Sequence, residues 1–187
     1  MCSLTQGYTI GCKGVGGIRE AYIIDRDDVE SMTEEDGVIT SMVLSGLLWK
    51  YELQRNTATF SDKIERLPTG AKVYNSEFNM VINTMLTSVR QEIQRVIKHR
   101  LIIIIKDRQG VYWMLGRENG MKNTSGKVGP GQSGTDRSGF ELSFEGTEKQ
   151  PAIEVSEDAI QVFTEYYILT ETGDYILQEG GDKIYVE

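Results

Sequence analysis

Histidine occurs once in the 187 residues, at His99, and cysteine twice, at Cys2 and Cys12. A lone histidine rules out a multi-histidine zinc site and leaves one candidate for a histidine-based triad. His99 falls at the basic end of an expected helix, beside Lys98 and Arg100, and reads as a surface or capping residue. Two cysteines are too few for a disulfide framework, and no secretory signal precedes them. They read as reduced thiols after cytoplasmic synthesis, with a Cys2–Cys12 bridge as the alternative. No apolar run approaches the ~20 residues of a transmembrane helix, so no membrane partner is expected. The glycosylation sequon Asn123-Thr124-Ser125 carries no meaning without secretion. Cations are also short: 20 Lys and Arg stand against 28 Asp and Glu, a net charge of −8. That argues against a general nucleic-acid-binding surface.

Recognisable catalytic equipment is missing too. Gly129-Pro130-Gly131-Gln132-Ser133-Gly134 matches G-x-G-x-x-G, but a strand rather than a helix is expected to follow, and a proline interrupts it. Gly120 to Val128 has five residues instead of four before Gly126-Lys127, and Val128 replaces the Ser or Thr that would hold Mg²⁺. Asp25, Asp27 and Asp28 lack the spacing and terminal Glu of a calcium loop. The many carboxylates show no pair at a specific spacing. Trp49 and Trp113 could form a sugar-binding platform, although aromatics alternating in strands are more often core. No catalytic, cofactor-binding or metal-ligating residue is assigned, no cofactor is implied, and an enzyme is not expected.

What is present is strand patterning around one helix. Met85, Leu86, Val89, Ile93, Val96 and Ile97 recur at helical spacing, predicting an amphipathic helix over about 85–99, with Thr84 or Thr87 as N-cap. Leu101 to Ile105 is a short apolar run that reads as a strand buried on both faces. Asp107 to Gly110 is a turn and Val111 to Leu115 the returning strand. Met121 to Ser138 has no apolar periodicity and reads as a long loop, of the kind that is either functional or disordered. In Gly139 to Gly146, Phe140, Leu142 and Phe144 alternate with Glu141, Ser143 and Glu145, the mark of a half-buried strand. Further strands are expected at Ile18–Ile24, Val38–Leu44, Leu47–Gln54, Thr57–Arg66 and Ala71–Ile82. Asp25–Asp36 reads as an acidic loop, and Leu67-Pro68-Thr69-Gly70 as a turn. After Val155, Gln161–Thr170, Tyr175–Gln178 and Lys183–Val186 read as a small β-meander. The fold class is α+β, mainly β: a two-sheet antiparallel sandwich or open barrel with one flanking helix. Residues 1–155 form the main domain with an N-terminal arm, and 156–187 form the extension.

The run KDRQGVYWMLGRENGM, the Gly-rich loop, and DRSGFELSFEGTEKQPA together resemble structural proteins of bacteriophages infecting Bacteroidetes. The likeness is to the tail-tube type, including the ring proteins of crAss-like phage tails. The opening Cys12-Lys13-Gly14-Val15-Gly16-Gly17-Ile18 fits the same pattern, so the likeness covers roughly Cys2 to Val155. The tail from Ser156 to Glu187 departs from it. The resemblance implies a virion structural protein, made in the host cytoplasm, that assembles into a homo-oligomeric ring of six or twelve subunits. Its partners would be neighbouring tail or neck proteins, with genomic DNA as passenger in the lumen. On that view Arg117–Arg137 and the Cys2–Gly17 arm carry assembly contacts, and deleting Met121 to Gly134 would abolish ring stacking while leaving the fold. A carbohydrate-binding or receptor-binding appendage is the alternative reading.

Overall fold

The structure is a computed structural model that describes residues 16–130 and 138–164, the side chains of 161–164 excepted. The cysteines, the arm before Gly16 and the expected meander beyond Thr164 lie outside the described residues. In order the elements are β1 Ile18–Asp25, β2 Val29–Glu35, β3 Val38–Leu44, β4 Trp49–Glu52, β5 Ala58–Arg66 and β6 Lys72–Ile82. Then come α1 Thr87–Val96, β7 Leu101–Asp107, β8 Tyr112–Leu115, β9 Lys122–Gly129, β10 Gly139–Glu148, β11 Ile153–Val155 and α2 Glu157–Thr164. A seven-stranded sheet runs β2-β3-β11-β8-β7-β1-β4, and a four-stranded sheet runs β5-β6-β10-β9. The mainly-β, two-sheet expectation therefore holds.

The seven-stranded sheet is forced to curl. β1 and β2 stand five places apart in the strand order, about 24 Å in a flat sheet. The three residues Arg26–Asp28 join them, and such a link reaches at most about 14 Å. β3 and β4 are five places apart as well, joined by residues 45–48. The two short links meet where the Ser45 N–H and hydroxyl both donate to the Asp28 carbonyl, at 2.8 and 3.1 Å. The result is a sheet rolled towards a barrel without closing.

Both faces of its centre are covered, which is why Leu101 to Ile105 carries no polar residue. Leu101, Ile103 and Ile105 pack with Phe78, Phe140 and Phe144 of the four-stranded sheet and with Ile93 and Val96 of α1. Ile102 and Ile104 face the inside of the curl, against Tyr22, Ile39, Met114 and Ile160. Each isoleucine buried this way contributes about 1.5–3 kcal/mol. A bulge at Thr40, where the register with β2 slips, puts both Ile39 and Met42 into that inner core. Asp107 to Gly110 forms the expected turn: Asp107 Oδ1 accepts from the N–H groups of Gln109 and Val111 at 2.7 and 3.0 Å, and Gly110 takes φ 90°.

Four expectations are corrected. The helix is shorter than 85–99: it spans Thr87–Val96, Leu86 occupies the N-cap, and neither Thr84 nor Thr87 caps it. Met85 and Leu86 stay exposed, so no burial rewards extending the helix backwards. The acidic stretch is not a loop. Asp25 caps a single 3₁₀ turn, accepting from the Asp27 N–H at 3.1 Å, and Val29–Glu35 is an edge strand with Val29 buried. Most of the expected loop 121–138 is strand β9, described below. Finally, Gln161–Thr164 belongs to α2, where a strand was expected. Ser156 caps that helix, its Oγ accepting from the Ala159 N–H at 3.3 Å, and Glu157 and Asp158 suit its positive end.

Candidate functional site

Among the described residues the four-stranded sheet has two long edges without a paired strand, β5 and β9, and these are the surfaces best fitted to a partner. β9 is placed by the residues just before it. Leu101 and Met121 exchange N–H···O bonds of 2.9 and 2.7 Å, and Met121 is fully buried. The turn before Met121 is clamped by Glu148, whose carboxylate accepts from the N–H groups of Glu118 and Asn119 at 3.2 and 2.9 Å. Burial pushes the Glu148 carboxyl above its ordinary value. Those N–H donors oppose the shift, and the neighbouring Glu118 charge adds to it.

β9 itself, KNTSGKVG, has no apolar alternation and needs none. It pairs with β10 along one edge only, Gly126 opposite Leu142 and Lys127 opposite Glu141. A bulge at Thr124 is held by the Asn123 amide, which donates to the carbonyls of Ser125 and Ser143, both at 3.0 Å. Deleting Met121 to Gly134 would therefore remove a buried methionine and a whole strand, so such a variant cannot be fold-neutral. β5 forms the opposite edge, carrying Asp62, Lys63, Glu65 and Arg66.

The outward face of this sheet is polar and charge-balanced. Lys63 bridges to Glu77 at 3.0 Å, Asn79 donates to Glu77 at 3.1 Å, and Asn75 donates to Glu65 at 2.8 Å. The hydrogen bonds from Asn79 and Lys63 hold the Glu77 carboxyl below its ordinary value. Lys122 and Lys127 stand opposite Glu145 and Glu141. A face built this way offers phosphates few unpaired cations.

A second polar cluster closes one end of the curled sheet. Tyr22 donates to Glu20 at 2.9 Å, Lys50 approaches Glu20 at 3.4 Å, and Lys106 donates to the Tyr112 hydroxyl at 2.6 Å. Lys106 also lies 3.4 Å from Glu157, which ties α2 to the sheet. Burial works to raise the Glu20 carboxyl, but Tyr22 and Lys50 outweigh it and hold it low. Burial and Glu20 push the Tyr22 hydroxyl up. The Tyr112 hydroxyl holds the Lys106 proton more firmly than usual, which makes Lys106 a poor base or nucleophile. This cluster reads as a clamp on α2.

The two tryptophans separate. Trp113 packs against the core, its Nε1–H aimed at Asp107 Oδ2 at 3.4 Å. Trp49 is 50% exposed at the edge of β4. It borders a cleft of about 290 Å³ between β4 and α1, with Tyr51, Glu92, Arg95, Asp25 and Asp28 around it. Burial, with the Glu92 charge, pushes the Tyr51 hydroxyl up to about 12. His99 pairs with Asp25 on the same rim, a partner that no spacing in the chain announced. Among the described residues no three His, Cys, Asp or Glu side chains converge as a metal site. Gly129 and Pro130 end β9, and the rest of their glycine-rich motif lies outside the described residues.

Comparison with known protein families, with curated proteins and with solved structures returned no match in any of the three.

Proposed function

We propose that this chain is a virion structural protein of a phage tail, a tube or ring subunit whose four-stranded sheets join side by side around a channel. The observation that carries the reading is the parity of that sheet. Its four strands alternate in direction, so its two open edges, β5 and β9, run antiparallel to each other. When β9 of one subunit meets β5 of the next, the junction continues the antiparallel pattern, the more stable pairing. Every junction is then alike, and the head-to-tail contact closes into a ring. Closure also removes the unpaired edges that would otherwise invite aggregation. Six subunits would close twenty-four strands of this sheet, giving a ring on the order of 40 Å across. The polar outward face, with its lysines matched by glutamates, suits a wall past which DNA slides. Neighbouring tail or neck proteins would stack on the ring.

Native mass spectrometry and negative-stain images of the purified chain test this reading. Rings of six or twelve, or stacked tubes, are the expected result. Val128, 56% exposed on β9, would lie at the junction. V128D should return the assembly to monomers while shifting the melting temperature by only a few degrees. A chain that stays monomeric as concentration rises, or rings that V128D leaves intact, would overturn edge pairing.

A further inference from the structure

We infer that the cleft between β4 and α1 binds a neutral hexopyranose residue of a glycan, stacked on the Trp49 indole. The inference is independent of ring formation, because β4 belongs to the seven-stranded sheet and not to the edges assigned to assembly.

The chemistry of the walls selects the ligand. An indole half exposed on a short edge strand presents a flat apolar face of the kind that the C–H face of a sugar ring covers. Around it stand groups that hydrogen-bond hydroxyls: the carboxylates of Asp28 and Glu92 as acceptors, and the Arg95 guanidinium as donor. The cleft volume of about 290 Å³ sits at the small end of ligand pockets, which begin near ~300 Å³.

Charge narrows the choice further. His99 engages Asp25, and Arg95 lies 3.4 Å from Glu92. Asp28 has no ion-pair partner among the described residues. Its carboxylate lies over Gly46, where a Cβ would collide with it, so the glycine leaves Asp28 the room to face the cleft rim. With His99 counted as neutral, the carboxylates of Asp25, Asp28 and Glu92 face Arg95 alone, and the cleft carries about two net negative charges. That charge repels a uronate or a sialic acid. A quaternary ammonium would need aromatic faces on several sides, whereas Tyr51 is largely covered and Trp49 is the open ring.

The experiment uses the full chain and four neutral probes: glucose, galactose, mannose and N-acetylglucosamine. Glucuronate and choline serve as charged comparators. Tryptophan fluorescence should change saturably with at least one neutral sugar. W113F, which leaves Trp49 as the sole indole, should keep the response. Calorimetry, which needs no indole, should show affinity falling at least about tenfold in W49A and also falling in D28N. Trp49 is exposed enough that W49A should melt within a few degrees of the parent, which separates lost binding from lost fold. No saturable response to any of the four sugars, unchanged affinity in W49A, or saturation by choline or glucuronate alone would each overturn the inference.

Discussion

Glu148 is a carboxylate 5% exposed, spent on holding a turn. Because its pKa is raised in the folded chain, the native state keeps a proton that the unfolded state has already released. Stability therefore falls as pH rises from the ordinary value of 4.5 through the raised one, and the loss is complete above it. E148Q should remove that slope. Urea-unfolding midpoints collected from pH 4.5 upward would show it as a decline in the parent and a flatter line in the variant. Parallel lines would assign the slope to other groups. Nothing in the sequence distinguished Glu148 from its 27 acidic neighbours, since its role depends on Glu118 and Asn119 folding back onto it. Trp49 and Trp113 show the same limit: both occupy strands, and only the packing says which ring is free.

At the scale of the element, apolar patterning was enough to find β1, β3, β6 and β10, and a continuous apolar run was enough to find β7. Those strands bury one face or both, and burial of one face is what writes a period of two into a sequence. β2 and β9 were missed because edge strands can be exposed on both faces, so Glu, Ser, Thr and Gly serve there. Their partners hold them by backbone pairing, which leaves no trace in residue type. The candidate assembly edge at β9 was thus legible as a functional stretch, but as a loop. The joint before β9 gives a sharp test. Gly116 has φ 74°, and a Cβ there would lie 2.7 Å from the Met121 nitrogen and 2.8 Å from the Leu101 oxygen. Gly110 has φ 90° but open space around it. G110A should cost about 1–2 kcal/mol, the left-handed penalty alone. G116A adds a backbone collision and should cost more than about 3 kcal/mol. Denaturant unfolding of the two variants would rank them, and equal losses would show that the joint relaxes freely.

For the whole molecule, a net charge of −8 and a sheet face with matched lysines predict indifference to DNA. Gel-shift titration with duplex DNA should show no retention even at low salt. Retention that weakens steeply as salt rises would reveal a cationic surface and contradict the conduit reading. The sheet order carries another consequence, for how the chain is made. β1 lies between β7 and β4, and the polypeptide from Asp25 to Leu101 must leave the ribosome before β7 can reach it. At about 5–20 residues per second, that interval lasts roughly 4–15 s. Throughout it Tyr22, Ile23 and Ile24, all nearly fully buried at the end, have yet to meet β7. β1, the first of the described strands to be made, thus waits long after its own synthesis for its second partner, so the nascent chain must pass through a vulnerable period that the finished protein no longer shows.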